Sequence, residues 1–300
     1  MTFPVPQSSE ALVSTPRSDG GLDLQGFSEV SNSLRGGEDN DVVAGGNVGD
    51  RLNGGSGDDT VSSSAGDDSL DGSDGRDLLF GNQGRDFTYG GSGDDTAYGG
   101  KDNDTILGDD GNDRLFGDLG DDSVLGGFGN DIVLGGADRD TLDGNEGNDV
   151  LAGNDGQDSL DGQVGNDTLV SGKGSDTLTG GEGDDYLFGD RGADVMTGGS
   201  GADRFAYKAW EGGSFSDLGG DTITDFQVGL DKVAIEAALL DGETLVIGDF
   251  SNTNDQNAKL LYDPATGVLR HNPTPTEGDE VEIARFTNLP NLSIDDFEVL

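Results

Sequence analysis

The chain has 300 residues, of which 61 are acidic and 16 are basic, so its formal net charge is −45. This excess argues against nucleic acid and anionic membrane surfaces as partners, and its natural complement is a cation. The absence of cysteine excludes disulfides and thiolate metal sites, no apolar run approaches a transmembrane span, and 55 glycines with 31% hydrophobic residues are by themselves typical of disorder.

The N-terminal part divides at residue 27. Residues 1–26 are rich in Pro, Ser and Gly, which predicts a flexible segment, and they lack the basic start and apolar run of a Sec-type signal peptide. Residues 27–35, FSEVSNSLR, keep the register of the nine-residue pattern that follows, with Asn32 in place of an aspartate and Leu34 pointing inward. We expect residues 27–35 to form a degenerate repeat that caps the repeat array.

A nine-residue pattern begins at Gly36 and continues without insertion through nineteen units to Ala206. Position two is glycine or a small polar residue in nearly every unit, position four is mainly glycine, and position eight is apolar except for Thr88 and the small Ala97. Position six is aspartate in every unit. These aspartates are Asp41, Asp50, Asp59, Asp68, Asp77, Asp86, Asp95, Asp104, Asp113, Asp122, Asp131, Asp140, Asp149, Asp158, Asp167, Asp176, Asp185, Asp194 and Asp203.

The residue types within one unit predict its conformation. Gly, Asn and Asp tolerate positive φ, so the first six residues predict a tight turn with left-handed positions. The last three residues predict a short strand whose middle side chain points inward. One buried side chain per nine residues is too little for a unit to fold alone, so the units must stack into a solenoid.

The pattern resembles the RTX (repeats-in-toxin) nonapeptide G-G-x-G-x-D-x-U-x, a calcium-binding repeat. The resemblance covers residues 36–206 and implies an all-β fold, a parallel β-roll that is a two-sheet, calcium-bound β-solenoid. Two units then make one 18-residue coil, and calcium lies between stacked turns, held by turn carbonyls and the nineteen position-six carboxylates. The segments GGSGADRF at 198–205 and DTITDFQVGLDKVAI at 221–235 resemble the family's exit from the roll.

Electrostatics gives an independent reason for a metal. Stacked position-six aspartates lie about 4.8 Å apart and repel by roughly 3–4 kcal/mol at an effective dielectric of about 20. One buried Leu or Val per unit contributes only about 1.5–3 kcal/mol, which does not offset this repulsion. A cation with oxygen ligands can offset it, and calcium, which accepts flexible geometry, fits better than magnesium. Residues 36–206 hold 39 acidic and nine basic residues, a charge that up to about 17 calcium ions nearly balance. We expect a chain that is largely unfolded without calcium.

Two places in the array depart from the pattern. Val48 occupies the position-four glycine's place, so we expect the site that uses Asp50 to be weak or distorted. Thr88 and Ala97 fall in one coil on opposite sheets and thin the core there, which predicts faster amide exchange in that coil.

Residues 207–300 predict a β-rich C-terminal cap, with strands at 221–226, 244–247, 258–262, 268–272, 280–286 and 294–300. LLYDPATGVLR predicts a hairpin with Pro264 and Gly267 in its turn. The final residues, EVEIARFTNLPNLSIDDFEVL, resemble the region read by type I secretion systems, although SIDDFEVL also fits a last strand.

Catalytic motifs are missing from the sequence. There is no H-E-x-x-H, no G-x-S-x-G and no EF-hand loop with its closing glutamate. The one histidine, His271, is interpreted as an exposed loop residue. We therefore predict a protein without a catalytic site.

Position nine carries large side chains in seven consecutive units, which two-unit stacking divides into two outward ladders. Phe80, Tyr98, Phe116 and Leu134 form one ladder, and Tyr89, Leu107 and Leu125 form the other. Such ladders stabilise sheets; the other interpretation is a contact surface for another protein or a glycan.

The functional expectation is a secreted calcium-binding protein, extracellular or at the cell surface, with a structural, surface or adhesive role. Its partners would be calcium and, during export, the type I secretion machinery. The alternative is a calcium-dependent folding and secretion module that is accessory to an extracellular enzyme or toxin.

Overall fold

The computed structural model describes residues 13–18, 20–208, 219–236, 239, 247–249, 260–271 and 280–300. The described strands up to the end of the repeats are β1 (Val13–Pro16), β2 (Leu22–Gln25), β3 (Ser33–Gly37), β4 (Val42–Ala44), β5 (Arg51–Ser56), β6 (Thr60–Ser62), β7 (Ser69–Asp74), β8 (Leu78–Gln83), β9 (Phe87–Ser92), β10 (Thr96–Lys101), β11 (Thr105–Asp110), β12 (Arg114–Leu119), β13 (Ser123–Phe128), β14 (Ile132–Ala137), β15 (Thr141–Glu146), β16 (Val150–Asp155), β17 (Ser159–Val164), β18 (Thr168–Lys173), β19 (Thr177–Glu182), β20 (Tyr186–Arg191), β21 (Val195–Ser200) and β22 (Arg204–Tyr207). The strands that follow are β23 (Asp221–Ile223), β24 (Lys232–Ile235), β25 (Ile247–Asp249), β26 (Leu260–Asp263), β27 (Val268–His271), β28 (Val281–Phe286) and β29 (Phe297–Val299), with a 3₁₀ turn at Ile294–Asp296.

The strands form two sheets. Sheet A has the order β1-β2-β4-β6-β8-β10-β12-β14-β16-β18-β20-β22-β24-β29, and sheet B has the order β25-β26-β27-β28-β23-β21-β19-β17-β15-β13-β11-β9-β7-β5-β3. Consecutive repeat strands alternate between the sheets, and each pairs in parallel with the strand 18 residues away, so that Tyr98 lies between Phe80 and Phe116. The all-β, two-sheet parallel β-roll predicted from the repeats is confirmed.

The core is a double row of position-eight side chains between the sheets. From Val43 to Phe205 the apolar members are at most 2% exposed. Thr88 in sheet B and Ala97 in sheet A are equally buried, and the Thr88 hydroxyl has no hydrogen-bond partner. The coil that contains them therefore has less apolar volume than its neighbours.

The strands are longer than the sequence pattern indicates. From β7 to β21 each has six residues, covering positions seven to nine of one unit and one to three of the next, so only positions four to six form the turn. The expected six-residue turn is wrong because a left-handed residue at position two, such as Asn82 (φ 74°) or Gly100 (φ 114°), stays paired across the sheet.

The N-terminal segment is also more ordered than expected. Within residues 13–18 and 20–26, β1 and β2 form an antiparallel hairpin, and β2 pairs in parallel with β4. The expectation of a flexible segment over 1–26 is therefore wrong for this part, because Leu24 enters the core at 3% exposure; residues 1–12 lie outside the described residues.

The strands after the repeats extend both sheets. In sheet A, β24 pairs with β22 and β29 pairs with β24, while β23 and β28 continue sheet B. The predicted hairpin is the antiparallel pair β26–β27. The sequence did not predict β24, and the strands expected at 244–247, 258–262 and 268–272 lie partly outside the described residues.

The histidine lies in a different environment from the one expected. His271 is the last residue of β27, opposite Leu260 and Val281, and is 9% exposed. Its interpretation as an exposed loop residue is wrong, because strand pairing on both sides covers it.

Candidate metal centre

The position-six aspartates line up in two columns, one at each edge where the chain passes between the sheets. In each column the main-chain N–H of one aspartate donates to Oδ1 of the aspartate 18 residues later; Asp95 N–H, for example, reaches Asp113 Oδ1 at 2.8 Å. The bond recurs from Asp41 to Asp203 without a break, including Asp176 to Asp194 at 2.9 Å. The predicted site residues are therefore brought together as two continuous ladders, each carboxylate reaching back to the preceding coil.

The second oxygen of these carboxylates has no partner. Oδ2 is buried and makes no hydrogen bond in every position-six aspartate except Asp50, and the carboxylates are at most 4% exposed. A buried charged oxygen without a donor costs several kcal/mol. Eighteen such atoms in register indicate that a cation completes the site.

Glycine at position one makes room for this oxygen. A methyl group placed on Gly72 would lie 2.4 Å from Oδ2 of Asp77 and 2.6 Å from the carbonyl oxygen of Gly90 one coil later. Gly153 gives the same values within 0.1 Å, with Asp158 and the Ser171 carbonyl. A carboxylate oxygen and a carbonyl oxygen therefore converge on the space above the Cα atoms of Gly72 and Gly153.

Carbonyl oxygens at positions two and four point along the roll axis toward the next coil. A methyl group on Gly91 would meet the Ser73 oxygen at 2.1 Å, and one on Gly75 would meet the Gly57 oxygen at 2.0 Å. Both glycines have positive φ, 113° and 139°, which L side chains rarely adopt. These inward groups are carbonyl oxygens, which are ligands that calcium prefers.

Side chains alone do not complete a site. Among the described residues no three His, Cys, Asp or Glu side chains gather around one point. A cation between turns would therefore take its remaining ligands from the main chain, as the inward carbonyls allow. These residues fit calcium, and the position-six carboxylates with the carbonyls of positions one, two and four are the groups that would hold it.

Burial raises the pKa values of the column carboxyls. The pKa of Asp86 and of Asp95 rises to about 8, and that of Asp113 to about 7, mainly through desolvation and further through neighbouring carboxylates. The main-chain N–H bond to each carboxylate opposes this rise. Without a cation these groups hold protons near neutral pH.

Position-five acids behave in the opposite way. Asp94 is exposed and accepts the Asn112 main-chain N–H at 2.9 Å, which lowers its pKa. Asp58 is exposed and accepts the Arg76 N–H at 3.1 Å. Asp58 and Asp94 are exposed and have protein donors, so they do not share the need for a cation that position six shows.

Asp50 differs from the other members. Its Oδ2 accepts the Gly46 main-chain N–H at 2.6 Å, and its Oδ1 accepts the Asn32 N–H at 2.5 Å. Val48 is not among the positive-φ residues, and β4 stops at Ala44 instead of continuing to position three. The site at Asp50 is distorted, as expected from Val48 at position four. A main-chain N–H binds Oδ2 of Asp50, whereas Oδ2 of the other position-six aspartates has no hydrogen-bond donor.

Sequence reasoning missed two aspartates beyond the repeats. Asp221 Oδ1 accepts the Asp194 N–H at 3.1 Å, and Asp231 Oδ1 accepts the Asp203 N–H at 3.2 Å, so each continues one column. Asp221 keeps the nine-residue register, 27 residues after Asp194, but Gly212 takes the position-six place between Asp203 and Asp221, and the 28-residue spacing of Asp231 leaves the register. The signal that could have found them is the Asp-x-apolar order, in Asp221–Ile223 and in residues 231–233.

These added members differ from each other. Asp231 Oδ2 accepts the Gln227 N–H at 2.7 Å, so a hydrogen bond closes that column. Asp221 lies against Asp194 and the fully buried Tyr207; burial and the Asp194 carboxylate raise the pKa of Asp221 well above the usual range, while the hydrogen bond with Tyr207 opposes the rise.

No helix within the described residues is long and apolar enough to cross a membrane.

Comparison with known proteins gives one family. A sequence model of the RTX calcium-binding nonapeptide repeat, four copies long, matches residues 31–52, 53–88, 89–124, 107–142, 134–169, 143–178 and 170–205. Among solved structures, the solution structure of the AlgE6R3 subunit from the Azotobacter vinelandii mannuronan C5-epimerase is 22% identical, covers 63% of this chain and 80% of its own, and has a TM-score of 0.28. No curated protein matches the chain. Because the matched repeats span more than half of the sequence, the chain belongs to the family of RTX calcium-binding nonapeptide repeat proteins.

Proposed function

We propose that this is a secreted calcium-binding protein whose roll folds when it meets calcium outside the cell, where it serves a structural, surface or adhesive role. The observation that carries the proposal is the double column of buried Oδ2 oxygens without a hydrogen-bond donor. No main-chain or side-chain group donates a hydrogen bond to these oxygens, so the folded chain needs a cation to satisfy them.

The chain's own residues explain why folding would wait for the ion. Each coil brings a position-six carboxylate over the next, at roughly the 4.8 Å strand spacing, and removes both from water. Position-one and position-four glycines let the turns approach closely enough for carbonyl oxygens to share the same space. Calcium supplies the positive charge and accepts six to eight oxygens.

The C-terminal strand suggests how export and folding are kept apart. In the folded protein β29 is paired with β24 and Phe297 is only 8% exposed. The tail is accessible to a type I secretion system only while the chain is unfolded, as in a low-calcium cytoplasm. Binding of calcium outside would then pull the tail into sheet A and prevent return.

We assign the protein no catalytic step of its own. The position-six carboxylates are buried in the two columns, and Asp94 at position five is exposed and accepts hydrogen bonds that favour its charged form. His271 is covered by β26 and β28. The role that fits this arrangement is a calcium-filled rod, about 45–50 Å long over the repeats at roughly 4.8 Å per coil.

The test is circular dichroism of the full chain in chelator, in millimolar calcium and in millimolar magnesium. We expect strand signal only with calcium, because magnesium gives up its water reluctantly and prefers strict octahedral geometry. A strand signal that is the same in chelator would contradict the proposal. Detection of the protein in culture medium tests secretion separately.

A further inference from the structure

The outer faces of the two sheets differ in charge. The strands of sheet A from β8 to β20 carry four basic and three acidic residues, whereas the strands of sheet B from β7 to β21 carry eight acidic residues and no basic one. On sheet A the acid Asp155 has an internal partner, the Lys173 ammonium at 2.6 Å. In the part of the chain that the structure describes, no Lys or Arg forms a salt bridge with an acid of these sheet B strands, so their charge is not balanced.

Large apolar side chains are exposed on the same acidic face. Those in strands β9, β13, β17 and β21 are Phe87, Phe128, Val164 and Val195, each 39–53% exposed. Sheet A also exposes Leu119 and Val150, but its charges nearly balance. Sheet B is therefore distinguished by the combination of exposed apolar surface with unbalanced negative charge.

The two properties meet in an open groove of about 330 Å³ that crosses strands β11, β13, β15 and β17. Leu107 and Leu125, paired on adjacent strands, line one side of the groove at position nine, and Phe128 lines the other side at position three. Gly127 lies between these rows and carries no side chain. The groove therefore has room for an apolar side chain of a partner.

Acidic side chains flank the groove on β15, one strand beyond Phe128. In the position-nine row Asp143 is in register with Leu125, and in the position-three row Glu146 is in register with Phe128. The Asp143 carboxylate accepts a hydrogen bond from the Gln163 amide at 2.5 Å, a neutral donor that leaves the charge unbalanced. Apolar and acidic positions are thus one strand apart, at a spacing of about 4.8 Å.

We infer that the outer face of sheet B binds a basic amphipathic segment of a partner protein, whose apolar side chains contact Leu125 and Phe128 and whose Lys or Arg side chains lie between Asp143 and Glu146. The inference rests on the proposed calcium-dependent folding, because the groove exists only in the folded roll. It gives the proposed surface or adhesive role a partner of stated chemistry.

Charge and apolar surface together select this class of partner. The unbalanced acids repel nucleic acid, anionic lipid and a second copy of this chain, whose net charge is −45. An uncharged apolar segment would cover the Asp143 and Glu146 carboxylates without offering them a partner, which is costly. A segment with both kinds of side chain contacts the apolar part of the groove and also neutralises its acids, as electrostatic complementarity requires.

The experiment is fluorescence anisotropy of a labelled synthetic peptide of alternating Leu and Lys, titrated with the full chain in millimolar calcium. A peptide of the same length and charge, with Ser in place of Leu, measures the attraction due to charge alone. We expect the Leu–Lys peptide to bind about 10-fold more tightly or better, because only this peptide buries apolar surface in the groove.

Matched double variants locate the charge contribution. Asp143→Asn with Glu146→Gln should weaken binding of the Leu–Lys peptide by about 10-fold, because two ion pairs are lost. Asp118→Asn with Asp155→Asn is the control: it removes the same charge from sheet A and should bind the peptide like the wild type.

A second pair of variants locates the apolar contribution. Phe128→Ser should weaken binding of the Leu–Lys peptide, because Phe128 is 53% exposed and lines the groove. Leu119→Ser is the control, since Leu119 is 50% exposed at the same position of a unit but lies in sheet A; it should bind the peptide like the wild type.

Equal weakening by the two double variants, or equal affinity for the two peptides, would overturn the inference, because the attraction would then belong to the acidic chain as a whole. A calcium-induced strand signal in circular dichroism without peptide binding would also overturn it and leave the proposed function intact; binding of a neutral oligosaccharide by the same samples would then assign the face to a glycan. No strand signal with calcium would contradict the proposed function first.

Discussion

Asp122→Asn is the substitution that most sharply separates a calcium ligand from a structural carboxylate. Asp122 lies in the middle of a column, 3% exposed, with Oδ1 accepting the Asp104 N–H at 2.7 Å and Oδ2 without a partner. Asparagine keeps the acceptor oxygen for Asp104 and puts an uncharged NH₂ where the free oxygen stands. The hydrogen bond from the Asp104 N–H is kept, so the substitution removes only the charge and the oxygen that would bind calcium.

The expected magnitude follows from linkage. An ion held at about 100 times its dissociation constant adds roughly 2.7 kcal/mol to stability. Loss of one ion from a roll of this size should lower Tm by about 5–10 °C, since about 1 kcal/mol corresponds to roughly 2–4 °C in proteins of 150–250 residues.

The assay is calorimetric calcium stoichiometry together with thermal melting in millimolar calcium. Asp122→Asn should bind at least one ion fewer than the wild type. Asp50→Asn is the control, because the Gly46 N–H already occupies Oδ2 of Asp50 at 2.6 Å; it should leave the stoichiometry unchanged. Unchanged stoichiometry in Asp122→Asn, or an equal loss in Asp50→Asn, would refute the reasoning.

Three further predictions concern protons, glycine and the core. A raised carboxyl pKa, about 8 for Asp95 against a usual 3.8, means that the metal-free fold binds more protons than the unfolded chain. The contribution of Asp95 to the stability of that fold is fully present below about pH 4 and is lost as pH rises through about 8. In chelator, strand signal should therefore grow as pH falls from 8.5 to 5, and no growth would contradict the burial of these groups. Gly129→Ala should abolish or severely weaken the calcium-induced fold, because its methyl group would lie 1.8 Å from the Gly111 carbonyl oxygen and φ is 126°. Gly37→Ala is the control and should melt close to the wild type, because the nearest atom to its methyl group would be 3.7 Å away. Equal melting temperatures of the two variants would show that the turn does not require glycine at position four for steric reasons. Thr88→Val should raise stability by about 1–2 kcal/mol, because it removes a buried hydroxyl without a partner, and a lower Tm would show that the hydroxyl is satisfied.

Much of the roll could be predicted because the residue types within each nine-residue unit determine its turn and its strand. Aspartate at position six and an apolar residue at position eight fix which side chains face the turn column and which face the core. A two-unit coil follows once one buried residue per unit must find partners above and below. The distortion at Asp50 was also predictable, since a β-branched Val48 resists the backbone that glycine adopts at position four.

Other features depend on contacts that a local pattern does not contain. Pairing of positions one to three depends on the neighbouring coil, so the strand length of six residues was not visible in one unit. The β1–β2 hairpin and the burial of His271 come from strand partners distant in sequence. Asp221 joins the column of Asp194, although regular 18-residue stacking would place it after Asp203, so a fixed period does not predict its column.

The most direct test of the central claim is an anomalous difference map from a crystal grown in calcium. The account predicts peaks along both turn columns, each next to a position-six Oδ2 and carbonyl oxygens of the adjoining coil, with none beside Asp50. Columns without peaks in a folded roll, or calcium found instead on the acidic outer face of sheet B near Asp143 and Asp161, would contradict it.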